Sequence, residues 1–139
     1  MVPPRHEKDQ SMTRQAVREL AGFVRTFSTS PFVEDAKVKL EEARQILLSH
    51  ELYVAGYYEN KEQWLAVAWR LDAAIGEYPQ LTQDPELYWR RAQAFQVAGQ
   101  GEDAARAVQS YLNTFPDGER ASTARDARQE AGKPVEESP

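Results

Sequence analysis

Small and large apolar residues return at fixed spacings in two successive stretches of this chain, and that recurrence restricts what it can fold into more than any other feature. Between His50 and Pro79 the sequence HELYVAGYYENKEQWLAVAWRLDAAIGEYP sets Val54, Ala55 and Tyr58 on one helical face. It then sets Trp64, Val67, Leu71 and Ala74 on the next, and closes with Pro79. Tyr88, Ala92, Phe95, Gly99, Ala104, Val108, Tyr111 and Pro116 take the corresponding places in a second unit. Pro79 and Pro116 lie 37 positions apart, against a nominal period of about 34 for stacked helical hairpins. The excess fits the polar loop from Gln80 to Asp84.

Upstream, Ala16, Leu20 and Phe23, closed by Ser28, repeat the second-helix half of the pattern. Ser28 to Pro79 spans 51 positions, so about half a period is spliced between them. The spacings match the tetratricopeptide template, whose helix-turn-helix units bury their apolar faces only by stacking. They predict an all-α, tetratricopeptide-repeat right-handed helical solenoid with one long inter-repeat helix and a C-terminal capping helix. Its structural positions are Tyr58, Trp64, Leu71, Ala74, Pro79, Tyr88, Ala92, Phe95, Ala104 and Pro116.

Start and stop signals divide the chain further. Residues 1–10 are polar with two prolines and read as a flexible arm. Ser11 can cap a helix from Met12 to Phe27. Ser30-Pro31 opens the next helix, which no proline interrupts from Phe32 to about Tyr58. Along it Ala36, Leu40, Ala43, Leu47, His50 and Val54 form one seam, over a length of roughly 39 Å. Glu59-Asn60-Lys61 is the expected turn, with Trp64 on the inner face of the returning helix. Asp84-Pro85 starts a helix that runs to Val97, Gly99 and Gly101 bracket its turn, and the partner helix runs from about Glu102 to Phe115. Glu119–Ala131 is polar on most sides and suits a terminal cap. Residues 132–139 are expected to be disordered. The repeat domain is thus 11–131, and because residues 1–10 offer no partner for its first helix, it reads as the C-terminal part of a longer repeat protein.

Chemistry is sparse. No cysteine is present, which excludes disulfides, thiolate catalysis and the usual structural zinc sites. The two histidines, His6 and His50, are far apart in sequence, and no nucleophile–base arrangement can be assembled around them. Gly99-Gln100-Gly101 follows a helix rather than a strand, so it reads as a turn and not as a phosphate loop. With 17 basic and 22 acidic residues and a net charge of −5, the chain lacks the basic field that nucleic acid requires. No run of 18 apolar residues exists for direct membrane insertion, and the N-terminus MVPPRHEKDQ has no signal-peptide core. The expectation is a protein without enzymatic activity and without cofactor or metal.

What remains is an accumulation of Trp64, Trp69, Arg70, Trp89, Arg90 and Arg91 in the two repeats. Trp64 falls on the apolar stripe and is expected in the core. Val67, Ala68 and Leu71 already define the inward face of that helix, so Trp69 and Arg70 tilt toward its edge. Tryptophan and arginine are the side chains that most often anchor protein interfaces.

The segment VAGYYENKEQWLAVAWRLDAAIGEYP, with Tyr57-Tyr58, Trp64, Ala66-Val67, Arg70 and Tyr78-Pro79, resembles the fourth-repeat signature of the BamD family, the tetratricopeptide lipoproteins of the outer-membrane β-barrel assembly machinery. Asp9-Gln10-Ser11, the Ser30-Pro31 start and the stretch His50 to Val54 fit the same layout, and the likeness covers roughly residues 9–130. The resemblance implies a non-enzymatic scaffold on the periplasmic face of the outer membrane, tethered in its full form by an N-terminal lipid. It implies a POTRA domain of the barrel-carrying subunit as partner of the C-terminal repeats. Small accessory lipoproteins and unfolded outer-membrane proteins are further implied partners. Arg70, in the pattern W-x-A-V-x-x-R, lies at the POTRA contact in that family; Trp69, Arg90 and Arg91 join it as expected partner-binding residues. Signal peptide, lipidated cysteine and about two leading repeats are expected to be missing from the chain. Gln63 stands where the family has a small turn residue, which leaves that hairpin's geometry open. Two other classes fit the repeats less well: a periplasmic cell-division coordinator, which would lack the extra half repeat, and a peptide-binding adaptor, which would line its first helices with basic residues.

Overall fold

The computed structural model describes residues 4–131, with side chains from Gln10 to Glu130. Six helices follow one another: α1 (Pro4–Thr26), α2 (Val33–Asn60), α3 (Trp64–Glu77), α4 (Pro85–Val97), α5 (Gly101–Thr114) and α6 (Ala121–Ala131). No strand occurs among the described residues. Two compact units, Met1–Val54 and Ala55–Pro139, divide the chain within α2.

In the first unit, α1 begins at Pro4, eight positions before the expected start at Met12. Residues 4–10, read from sequence as part of a flexible arm, are helical, and Ser11 lies inside the helix instead of capping it. The reason is local: proline is pre-shaped for a first turn, and nothing in RHEKDQ breaks a helix. The remainder of the arm, residues 1–3, and the tail 132–139 lie outside the described residues. α1 closes as Phe27 N–H donates to Phe23 O at 2.8 Å and Ser30 N–H to Phe27 O at 2.9 Å. Ser30 Oγ then accepts from Phe32 N–H at 3.2 Å, capping the entry to α2. Ala36, Leu40, Ala43, Leu47 and Val54 are buried as the seam requires, and each buried leucine contributes about 1.5–3 kcal/mol. His50 departs from the seam: it is half-buried, and Glu51 is the buried residue of that turn. The Glu51 carboxylate meets Arg14 of α1 at 3.7 Å, a pairing that satisfies a charge burial alone would penalise.

The second unit repeats itself in its backbone. At the first hairpin turn Glu62 takes φ 56°, followed by Gln63 at φ −91°, ψ 74°. At the second, Gly99 takes φ 79°, followed by Gln100 at φ −92°, ψ 75°. Gln63 N–H donates to Tyr58 O at 3.0 Å and Gln100 N–H to Phe95 O at 2.9 Å. Glu62 N–H likewise donates to Glu59 O, and Gly99 N–H to Gln96 O, both at 3.0 Å. Both hairpins therefore turn on a Schellman motif with one left-handed residue. This resolves the geometry at Gln63: the position that needs freedom is Glu62, one residue earlier, where the second hairpin carries glycine.

The far ends match as well. Tyr78 N–H donates to Ala74 O at 3.0 Å and Phe115 N–H to Tyr111 O at 2.7 Å, and each helix then unwinds through Leu81 N–H to Tyr78 O and Gly118 N–H to Phe115 O. Pro79 and Pro116 follow these caps in exposed loops. α4 opens on Asp84, whose side chain accepts from Glu86 N–H at 3.0 Å, with Pro85 in the first turn.

Between these ends, Leu71, Ala74, Tyr88, Ala92, Phe95, Val108 and Tyr111 are buried, and α4 packs against both α3 and α5. Tyr58 and Ala104 are half-buried, and so is Trp64, which sequence placed in the core. As the first residue of α3, Trp64 has no preceding turn to pack over it. Tyr111 is fully enclosed; its hydroxyl accepts from Arg120 N–H at 3.0 Å, and Trp89 and Phe115 flank its ring, each centroid 5.8 Å away. α6 packs against α5, with Ala121 and Ala124 buried.

Candidate partner-docking face

α3 turns Val67, Ala68, Leu71, Ala74 and Ile75 inward. Helical geometry therefore sends Leu65 and Trp69, four residues apart, to a common outer face. Trp69 remains 49% exposed, Leu65 43% and Val97 62%. The Trp69 indole stands edge-on to buried Phe95, ring centroids 5.1 Å apart at 86°, a favoured aromatic geometry that fixes the exposed ring without covering it. Trp64, Leu65, Trp69 and Val97 line an open hollow of about 680 Å³ at the turn end of the α3–α4 pair.

On its other side Trp69 rims a second cleft of about 300 Å³, formed by α3, α4 and α5 and lined by Asp72, Arg91, Phe95, Asp103 and Ser110 among others. Trp69 is thus a ridge between two depressions.

The four residues expected from sequence to bind a partner fall in different places. Trp69 and Arg70 are exposed neighbours on α3. Arg90 is half-buried and its Nη2 bonds Glu59 Oε2 at 2.8 Å, tying α4 to the last turn of α2. It borders a separate depression of about 280 Å³ beside Trp64 and Val97. Arg91 is 7% exposed and is not a surface cation at all. Its Nη1 pairs with Asp72 Oδ1 at 3.2 Å, its Nη2 donates to Ser110 Oγ at 2.9 Å, and its guanidinium lies over the Tyr88 ring. A step of about 100° along a helix separates Arg90 from Arg91, enough to point one outward and the other into the cleft. Sequence reading missed Leu65 and Val97 in the hollow and Asp72 and Ser110 in the cleft on the other side of Trp69. The spacing of Leu65 to Trp69 was an available signal; the meeting of Asp72, Arg91 and Ser110 from three helices was not.

Among the described residues no group of three or more His, Cys, Asp or Glu is placed to hold a metal ion, and no helix is long and apolar enough to cross a membrane. Successive antiparallel helical hairpins with the same turn and the same cap define a tetratricopeptide-like helical repeat protein.

The family model described as YfiO, outer membrane lipoprotein, matches residues 1–110. The chain belongs to this family. Among similar proteins, the outer membrane protein assembly factor BamD of Caulobacter vibrioides is 30% identical over 111 residues, covering 78% of this chain and 36% of the relative. That of Haemophilus influenzae is 27% identical over 95 residues, covering 68% of this chain and 36% of the relative. The assembly factor BamD of Neisseria meningitidis serogroup A is 26% identical over 110 residues, covering 79% and 41%. The chain therefore spans little more than a third of the length of the first two of these curated relatives.

Proposed function

We propose that this chain is a non-enzymatic scaffold module of outer-membrane β-barrel protein assembly, and that it docks the POTRA region of the barrel-carrying subunit on the outer face of α3 and the end of α4. The observation that carries the reading is Trp69, held in a fixed orientation by Phe95 yet half exposed, at the centre of an apolar face on a chain whose relatives are named assembly factors. Covering the exposed half of such an indole removes on the order of 100 Å² of apolar surface from water, about 2.5 kcal/mol. Arg70 adjoins this face and would meet an acidic group of the partner.

The mechanism is positional. Rigid hairpins hold an aromatic anchor and a cation at a set separation, so affinity follows from pre-organisation and not from any chemical step. The helical hairpins act as a repeat domain that works at the periplasmic face of the outer membrane. Small accessory lipoproteins and unfolded outer-membrane proteins are the further partners of this reading. Titration against the POTRA array of the corresponding barrel subunit tests it, with Arg70→Glu in parallel and helical content checked by circular dichroism. Saturable binding weakened tenfold or more by the charge reversal, about 1.4 kcal/mol, supports the reading. Absence of binding by folded wild-type chain refutes it.

A further inference from the structure

The depression of about 280 Å³ beside Trp64 and Val97 counts Glu59, Trp64, Val67 and Arg90 among its lining residues. A step of 37 positions, the register of Pro79 and Pro116, carries these four to Gln96, Gly101, Ala104 and Ala127. All four line a groove of about 420 Å³ formed by the end of α4 with α5 and α6. One site therefore recurs in successive repeats, with different contents. In the earlier site the indole of Trp64, first residue of α3, forms part of the wall, and Arg90 reaches Glu59 at 2.8 Å. In the later site the first residue of α5 is Gly101, where a Cβ would meet nothing within 4 Å. Ala127 and Gln96 stand in place of the bridging pair, which neither can form. Ala104, Ala105 and Val108 give the groove an apolar floor, and Gly101 and Ala105 are exposed, so it is open from solvent.

The charge at the rim changes in the same register. Arg128 takes the position of Arg91, and Gln109 that of Asp72. The contact of Arg91 Nη1 with Asp72 Oδ1 at 3.2 Å recurs as Arg128 Nη1 to Gln109 Oε1 at 3.4 Å. A neutral oxygen has replaced the carboxylate, and Arg128 is exposed where Arg91 is buried. An arriving carboxylate can supply the charge that Gln109 lacks.

We propose that the groove between α5 and α6 receives an aromatic side chain from a short segment of a partner protein, and that an acidic residue beside it in that segment pairs with Arg128. The aromatic ring takes the place that Trp64 fills in the preceding repeat. It lies flat on Ala104, Ala105 and Val108, whose small side chains leave room for the face of a ring. Aromatic anchors seated in such hollows carry a large share of interface affinity. The groove is separate from the docking face on α3, so a chain that ignores the POTRA array can still bind here.

The experiment follows the methyl resonances of Ala104, Ala105 and Ala127 of the full chain by NMR. The titrant is the capped peptide acetyl-Asp-Trp-Asp-amide; acetyl-Asp-Leu-Asp-amide, acetyl-Asn-Trp-Asn-amide and N-acetyltryptophan serve as comparisons. The expected result is a saturable shift of all three methyls, at least tenfold weaker in affinity for the leucine peptide and at least threefold weaker for the asparagine peptide. Gly101→Trp supplies the ring from the chain itself and should abolish the response, with helical content checked by circular dichroism. Arg128→Gln leaves the groove in place and should weaken the aspartate peptide at least threefold, which keeps the test decisive should the tryptophan variant fail to fold. Absence of a saturable shift in folded wild-type chain overturns the proposal, as does an equal response to the leucine peptide or a response unchanged in Gly101→Trp. Affinity unchanged by Arg128→Gln overturns the pairing with an acid. Tighter binding of N-acetyltryptophan overturns the assignment to an internal segment in favour of a chain terminus.

Discussion

At the scale of single residues, Glu62 and Gly99 occupy the same left-handed position of two equivalent turns, at φ 56° and 79°. A side chain there costs on the order of 1 kcal/mol relative to glycine. Glu62→Gly should therefore raise unfolding free energy by about that amount, read from the urea midpoint at unchanged slope. Gly118 presents the opposite case. A Cβ there would collide with the Tyr111 hydroxyl and lie 3.1 Å from Phe115 O, so Gly118→Ala should cost about 1–3 kcal/mol. In a Tyr111→Phe background, where the obstructing oxygen is gone, the cost of the alanine should shrink; equal costs in both backgrounds would show that the backbone, not the hydroxyl, sets the constraint. Residue spacing was legible from sequence and depth was not. Arg90 and Arg91 are neighbours of one type, and only the packing of α3 and α5 around α4 decides that Arg91 is the buried one.

Among the elements, the long α2 and the closures at Pro79 and Pro116 were readable because apolar period, caps and prolines agree there. The start of α1 was misread because two prolines look like an extended lead, although a proline at the first helical position starts a helix as readily as it prevents one. The exchange of His50 for Glu51 on the seam has a comparable origin: apolar periodicity carries no information about an acid that finds Arg14 on another helix at 3.7 Å. Between α2 and α4, the Arg90–Glu59 bridge has side chains 38% and 41% exposed. Solvent screens such a pair, so Glu59→Gln should change stability by less than about 1 kcal/mol. A larger loss in thermal or urea unfolding would mean that the bridge is structural and not merely superficial.

For the whole molecule, turn, cap and core positions recur between the described hairpins, and what they present is an apolar face at one end of α3 and α4. The general fold was legible because repetition multiplies weak signals. The apolar face proposed for docking was half legible: Trp69 and Arg70 stood out by type, while Leu65 and Val97 joined it only once the helices were paired. The most direct test places a photo-crosslinking amino acid at Leu65 or Val97, and at exposed Ser122 on α6 as a comparison, in chain mixed with the POTRA array. Crosslinks at Leu65 and Val97 that disappear in Trp69→Ala, with none at Ser122, are the predicted result. Crosslinks at Ser122 with Leu65 and Val97 silent would contradict the account.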